Sequence, residues 1–247
     1  MKTGRGYDRP MANEGSRSMR RLAVAVLVML TVFPLPLVAQ GSDPGPTIAK
    51  WIAANATCRD AAAPAIEAVG ACEQRDRYSK LLALMSHCYG PLPGGGQPAW
   101  RPCDPASMAQ AMLLARTTAR FQRRNGVLVL PASLNLNTEA FFIVDSGAAK
   151  VQIPQEVADE LMRKGTLSQG DFLREHTFIV ADGRRVAQKV IRLRSIGIGD
   201  RSVENVLATI GAPHSQALLG QSLLQRLNWW KIDNVRNALE LEFAGSF

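Results

Sequence analysis

The stretch Phe141-Phe-Ile-Val-Asp145-Ser-Gly-Ala148 decides the fold of this 247-residue chain. Four apolar residues predict a buried strand that ends at an acidic residue, and a serine and a glycine follow at once. Gly147 allows a tight turn and the close approach of a second chain, and the Ser146 hydroxyl can donate and accept hydrogen bonds. The pattern therefore predicts a carboxylate held just off a rigid strand. Asp-Ser-Gly alone is also compatible with a solvated turn that merely ends a strand.

Two later motifs favour a functional turn. Ala217-Leu-Leu-Gly220 is an apolar run that ends in glycine before a short helix, as suits a strand passing close behind a catalytic turn. Ala181-Asp-Gly-Arg184 is an Asp-Gly hairpin signal that lies between the two motifs. A mobile hairpin at that place could cover a cleft.

The sequence after Gly126 reads as short β-type runs separated by turns, with two brief helices at residues 155–163 and 221–227. This pattern of short strands and turns predicts a small, mainly β, barrel-like domain. The predicted strands are 127–131, 141–144, 151–153, 176–180, 186–193, 195–199, 202–210, 229–232 and 238–243.

With these motifs in this order, the chain resembles the retropepsin-like aspartic proteases, and more closely their bacterial, single-lobed, exported relatives. The similar positions are Phe142-Ile-Val-Asp145-Ser-Gly-Ala148, Val180-Ala-Asp-Gly183, Leu218-Leu-Gly-Gln-Ser-Leu-Leu224 and Trp230-Lys-Ile-Asp-Asn234. The resemblance covers about residues 124–243 and leaves out the cysteine-bearing part of the chain. It implies a small closed barrel with a catalytic Asp145. It further implies a supporting turn (Ser146, Gly147 and Ala148), a substrate-covering flap (Ala181, Asp182 and Gly183) and a strand behind the site (Leu218, Leu219 and Gly220).

The resemblance also implies a mechanism for hydrolysing peptide bonds. Two facing carboxylates share one proton, so that one activates water and the other protonates or polarises the carbonyl. This chain offers one candidate, because Asp43 lies in a linker and Asp182 at a hairpin tip. We therefore expect a homodimer with Asp145 from each subunit at its axis, a polypeptide substrate, and neither cofactor nor metal.

Some positions depart from the retroviral pattern. Those proteases usually carry threonine after the aspartate, and acidic residues after the alanine that pair with an arginine beyond the later glycine. Here the positions hold Ser146, Ala149-Lys150 and Gln221. Serine keeps the hydroxyl, whereas the missing ionic network leaves the details of a dimer open.

The first 39 residues have the pattern of a targeting segment. Arg20 and Arg21 precede an apolar run from Leu22 to Phe33, and prolines and small residues follow it. This order is typical of a signal peptide, with cleavage after Ala39 or, second, after Gly41. The alternative is an uncleaved anchor. Both alternatives predict an exported chain, periplasmic or anchored to the outer face of the inner membrane.

Four cysteines, Cys58, Cys72, Cys88 and Cys103, lie between this segment and residue 105. Their spacing lacks Cys-x-x-Cys pairs, so zinc sites and thioredoxin-like chemistry are disfavoured. An even number in an exported segment predicts two disulfides in one of three connectivities. Helical spacing surrounds them, and Asp104 with Pro105 predicts a last helix that runs to about Arg123.

The net charge of +8 does not indicate a nucleic-acid partner. Residues 1–39 carry six basic and two acidic side chains, which is half of that net charge. The remainder has no basic run with interleaved aromatics. His87, His176 and His214 lack metal-ligand spacing, and Ser222 lacks the second glycine of a nucleophile elbow.

We therefore predict a disulfide-stapled α-helical module followed by a retropepsin-like β-barrel, acting as an exported aspartic endopeptidase. The alternative is a catalytically silent, protease-like binding or adaptor module of the cell envelope. A further possibility is that the helical module is a regulator removed by self-cleavage near Gln122–Gly126. Membrane contact is expected only through an uncleaved N-terminal segment. The predicted divisions are 1–39 (signal peptide or anchor), 40–46 (linker), 47–123 (helical module) and 124–247 (protease domain).

Overall fold

A computed structural model describes residues 43–92, 95–179 and 183–244. The predicted targeting segment, most of the predicted linker, and Ala181 and Asp182 of the predicted flap lie outside these residues. No helix within the described ranges is both long and apolar enough to cross a membrane. The helices of the described part are Gly45–Arg59 (α1), Ala65–Leu84 (α2), Pro105–Ala115 (α3), Gln155–Arg163 (α4) and Gln221–Leu224 (α5).

The strands of the described part form four sheets. The strands are His87–Leu92 (β1), Gly96–Pro102 (β2), Arg116–Arg120 (β3), Gln122–Arg124 (β4), Val127–Leu134 (β5), Thr138–Val144 (β6), Val151–Ile153 (β7), His176–Ile179 (β8), Arg185–Gln188 (β9), Val190–Ile198 (β10), Arg201–Ile210 (β11), Ala217–Leu219 (β12), Leu227–Asp233 (β13) and Ala238–Phe243 (β14).

Six of these strands close into a barrel in the order β10-β11-β7-β12-β6-β5, and β10 pairs back onto β5. Closure removes free sheet edges. The inward side chains along each strand build one apolar core, in which Leu130, Phe142, Leu193 and Leu219 are fully buried. Each such side chain contributes roughly 2 kcal/mol relative to exposure. The predicted mainly β fold with a closed barrel is confirmed.

The N-terminal helices are joined by disulfides and aromatic contacts. Cys58 at the end of α1 bonds Cys72 in α2, and Cys88 bonds Cys103 across the base of the β1–β2 hairpin. The Trp51 ring packs against Tyr89 and Trp100 of this hairpin, with ring centroids 4.8 and 5.5 Å away. Two disulfides were predicted and are confirmed, with each cysteine bonded to its nearest neighbour in the sequence.

The prediction of one helix from Asp104 to about Arg123 is wrong beyond Ala115. The start is as expected, because the Asp104 carboxylate accepts the Ser107 amide hydrogen at 2.8 Å in a capping box. Residues Arg116–Arg120 instead form β3, which pairs with β14. Thr117 and Ala119 face inward while their neighbours are exposed, which is the alternation of a strand with one buried face. This sheet unites strands from both sides of the predicted boundary at residue 124.

The buried face of α2, unlike that of α1, is not a purely apolar stripe. In α1 the buried residues are Trp51, Ala54 and Cys58, whereas Ile52 is exposed. In α2 the buried stripe continues from Cys72 to Arg75, Asp76, Ser79 and Leu82, and Leu81 faces solvent. A charged stretch of α2 thus faces the barrel.

The remaining elements agree closely with the predicted pattern. Helix α4 has the predicted bounds, and α5 is shorter by three residues than the predicted helix 221–227. The predicted strand 186–193 is two strands, β9 and β10, because Lys189 interrupts it. Helix α1 begins at Gly45, inside the predicted linker.

Candidate active site

Asp145 follows β6 directly and begins a tight turn. Its Oδ1 accepts the amide hydrogens of Gly147 and Ala148, with N–O distances of 2.9 and 3.2 Å. The Ala148 amide also lies 3.3 Å from the Asp145 carbonyl oxygen. These bonds fix the direction of the carboxylate, as a short polar side chain does in an Asx-type turn. Asp145 is half-buried, while Ser146 and Gly147 at the tip are exposed.

The strand β12 braces this turn from behind. It pairs parallel with β6, with Leu218 opposite Ile143 and Leu219 opposite Val144. The Asp145 amide donates to the Leu219 carbonyl oxygen at 3.1 Å, which extends the ladder to the catalytic candidate itself. On its other side β12 contacts β7. Leu218 and Leu219 therefore lie in a strand directly beside the Asp145 turn.

Gly220 is required for this close packing. A Cβ atom built at Gly220 would lie 2.2 Å from the Lys150 carbonyl oxygen and 2.7 Å from that of Ala148. Both obstacles are backbone atoms of the loop that follows Asp145. Glycine at this position lets the start of α5 lie directly against the turn.

Helix α5 binds the turn through its first two residues. The Gln221 amide donates to the Ala148 carbonyl oxygen at 2.8 Å, and the Gln221 side chain donates to the Ser146 carbonyl oxygen at 2.7 Å. The buried Ser222 hydroxyl accepts the Val151 amide hydrogen at 2.8 Å and donates to Leu207 O at 2.6 Å. Gln221, which departs from the retroviral pattern, thus supports the same turn with a neutral hydrogen bond.

The strands on either side of the predicted flap pair with each other. Strands β8 and β9 form a two-stranded sheet of their own in the described part of the chain. Gly183 lies near the tip with φ of +83°, a backbone conformation that glycine tolerates best. Ile179 projects from β8 with 72% of its surface exposed. Ala181 and Asp182 lie outside the described residues.

An open groove of about 500 Å³ is lined by Phe141 and Ile143 of β6, the strand that Asp145 follows. Side chains alternate along a strand, so Phe141 and Ile143 share one face of β6. Val129 and Ala217 complete an apolar wall, and Arg124 stands at the rim with its guanidinium 5.0 Å from the centre of the Phe141 ring. The groove can therefore accept an apolar side chain, although Asp145 is not among its lining residues.

The described residues form neither a metal site nor a serine nucleophile site. No group of three or more histidine, cysteine, aspartate or glutamate side chains suits a metal ion within residues 43–92, 95–179 and 183–244. His87 Nδ1 lies 2.8 Å from the Met85 carbonyl oxygen, His176 packs on Phe178, and His214 pairs with Glu156. Ser222 is buried and fully engaged with backbone groups.

Sequence reasoning missed the charged residues that link α2 to α5. Asp76 and Arg226 are buried to within 5% exposure and form an ion pair at 2.7 Å. They lie 150 positions apart. No local pattern joins residues at that separation.

The closed barrel, the Asp-Ser-Gly turn and the glycine-ended strand behind it make up a retropepsin-like fold. Residues 130–226 match the family described as "gag-polyprotein putative aspartyl protease", a segment that contains both Asp145 and Gly220.

Solved structures similar to the chain include a retropepsin-like aspartic protease from Rickettsia conorii, at 24% identity over 53% of this chain and 93% of that one, with a TM-score of 0.38. The retroviral protease-like domain of Ddi1 from Leishmania major matches at 19% identity over 47% of this chain and 93% of that one, with a TM-score of 0.32. No curated protein matches the chain.

Proposed function

We propose that this protein is an aspartic endopeptidase that hydrolyses peptide bonds with a pair of Asp145 carboxylates, one from each subunit of a homodimer. The observation that most directly supports this proposal is the geometry of Asp145. Its Oδ1 is fixed by the Gly147 and Ala148 amides, and its backbone is fixed by β12. A carboxylate that is already oriented needs little reorganisation when it binds water.

The proposal requires a second carboxylate, and a second copy of the chain supplies it. Ser146 and Gly147 are exposed at the tip of the turn, so another molecule can approach there. Two carboxylates a few ångströms apart cannot both ionise comfortably, so they share one proton and titrate as a unit. The ionised member takes a proton from water as it attacks the carbonyl carbon, and the protonated member donates to the carbonyl oxygen.

The substrate is a polypeptide bound in an extended conformation. Extended peptides pair through main-chain hydrogen bonds, and pockets for alternate side chains give selectivity. The groove walled by Phe141, Ile143 and Ala217 serves as one such pocket. The β8–β9 hairpin covers the bound segment.

The enzyme acts outside the cytoplasm. The pattern of residues 1–39 supports export to the periplasm or attachment at the outer face of the inner membrane. The two disulfides support the same assignment, because structural disulfides persist in oxidising compartments.

Cleavage of an unfolded protein by the purified full-length chain tests the proposal. We expect cleavage at mildly acidic pH, where the dyad holds one proton, and its loss in Asp145→Asn. The matched control is Asp159→Asn, since Asp159 is an exposed carboxylate on α4. Undiminished cleavage by Asp145→Asn would refute the assignment. No cleavage of a broad peptide library by stable wild-type monomers would favour a binding module instead.

A further inference from the structure

The segment that leaves α5 is held by two residues of α2. Lys80 Nζ donates to the carbonyl oxygens of Gln225 and Leu227, at 2.9 and 2.7 Å. Between these two residues, Arg226 Nε donates to Asp76 Oδ2 at 2.7 Å. Asp76 and Lys80 are four positions apart and so lie on one face of the helix. Asp76 and Lys80 of helix α2 thus bind three consecutive residues, 225–227. We call this set of contacts the grip.

The grip is built from buried charges. Arg75, Asp76 and Arg226 have at most 5% of their surface exposed. Asp76 lies between the two guanidinium groups, and Arg75 continues to Glu204 on β11 with a 2.7 Å contact. Arg226 Nη1 also donates to the backbone carbonyls of Glu204 and Asn205. Buried charges that lose a partner are strongly unfavourable, so this arrangement has little freedom to shift.

The other end of α5 holds the catalytic turn. The helix has one turn, from Gln221 to Leu224, and the Gln221 backbone and side chain bind the carbonyls of Ala148 and Ser146. A displacement at Arg226 therefore reaches the turn through four residues of helix. The connection from Asp76 to Ser146 consists of hydrogen bonds and one rigid element.

We propose that Asp76, acting with Lys80, is a positioning residue for Asp145, and that the helical module is a working part of the active site. This inference rests on the proposed protease function. It contrasts with a module that only restrains the enzyme until self-cleavage removes it. In the present arrangement, the module holds the helix that sets the position of the turn.

Full-length Asp76→Asn and Lys80→Met variants test the inference, with Leu82→Ala as the control. Leu82 is fully buried in the same helix, so its truncation loosens the module without touching the grip. We expect both grip variants to lose about ten-fold in kcat with little change in KM, because a small misplacement acts on the chemical step. Rates are compared well below all unfolding midpoints. Asp76→Glu, which keeps the charge, should recover part of the loss.

Amide hydrogen exchange of the peptide spanning residues 145–151 provides a readout independent of activity. We expect faster exchange in the grip variants than in wild type or Leu82→Ala. Equal exchange and equal kcat in the grip variants and wild type would overturn the inference, as would the same losses in Leu82→Ala. If wild type shows no Asp145-dependent cleavage, the protease function fails, and exchange alone decides the coupling. If Asp76→Asn does not fold, the kcat and amide exchange of Lys80→Met test the inference alone.

Discussion

Gly220 lies so close to Lys150 that a Cβ atom at position 220 would stand 2.2 Å from the Lys150 carbonyl oxygen. The backbone of Gly220 has φ of −98°, which any residue can adopt. The requirement for glycine is therefore one of space. It arises because the strand behind the site and the loop after Asp145 are in direct backbone contact.

Replacing Gly220 with alanine should disrupt the site and lower stability. We expect Gly220→Ala to lose more than about 2 kcal/mol of unfolding free energy, because overpacking against backbone cannot relax through a side chain. Chemical denaturation measures this change. Gly70→Ala in α2 is the control, since its Cβ would meet nothing within 4 Å. It should gain up to about 1 kcal/mol. Equal stabilities of the two variants would contradict the packing argument.

A shared dyad predicts a quadratic response when subunits are mixed. If each subunit contributes one Asp145, equal amounts of wild type and Asp145→Asn give about a quarter of dimers with two aspartates. Total activity should then fall to about a quarter of the activity of pure wild type at the same total protein concentration. The measurement is cleavage after co-refolding at several ratios, with sedimentation to confirm dimers. Activity proportional to the wild-type fraction would instead indicate a site complete within one chain.

Most residues of the candidate site could be predicted from the sequence because they lie in short, continuous motifs. An apolar strand ending at Asp145, a tight turn and an apolar pair before Gly220 each occupy a few adjacent residues. The alternating pattern likewise predicted most barrel strands, and the cysteine count predicted two disulfides. In each case the physical cause lies within a short window: side-chain alternation, turn geometry or thiol chemistry.

The missed features depend on contacts between distant residues. Arg116–Arg120 becomes a strand because β14, more than a hundred residues later, pairs with it. Nothing local ends the helix that Asp104 begins. Asp76 reads as a solvated helix residue until Arg226 is placed beside it. Charged pairs across 150 positions leave no periodic signal in a single sequence.

Asp171 should stabilise the fold in a pH-dependent manner. Burial raises the pKa of this carboxyl, but hydrogen bonds from Ser168, Arg192 and Arg194 outweigh burial, so the pKa lies below its usual range. The stability that it contributes is thus present above the unfolded pKa of about 3.9 and is lost as the pH falls through the folded value. At mildly acidic pH, the contribution of Asp171 to the free energy of unfolding is therefore still present.

Asp171→Asn tests this dependence. We expect the variant to be about 3 kcal/mol less stable than wild type at pH 7, because two arginines lose their charged partner. The difference should shrink below about pH 4, where wild type also loses the charge. Denaturation curves between pH 3 and 7 measure it, with exposed Asp159→Asn as the control. A constant difference across this range would show that shape, rather than charge, sets the contribution of Asp171.

The two disulfides should differ in their resistance to reduction. Cys58 and Cys72 are buried at 2% and 0% exposure, whereas Cys88 and Cys103 are partly exposed. An attacking thiolate must reach a sulfur atom, so access sets the order. Mild dithiothreitol under native conditions should therefore reduce Cys88–Cys103 first, as mass spectrometry of alkylated peptides would show.

Reduction of Cys58–Cys72 should require opening of the module. Asn205 of the barrel donates to the Cys58 carbonyl oxygen at 2.9 Å, so this disulfide is packed against β11 beside Glu204. Its rate of reduction should rise with urea in parallel with unfolding, while that of Cys88–Cys103 should change little. A Cys58→Ala/Cys72→Ala double variant should lose about 3 kcal/mol, as expected for a loop of this length. Simultaneous reduction of both pairs without denaturant would show that the module opens freely from the barrel.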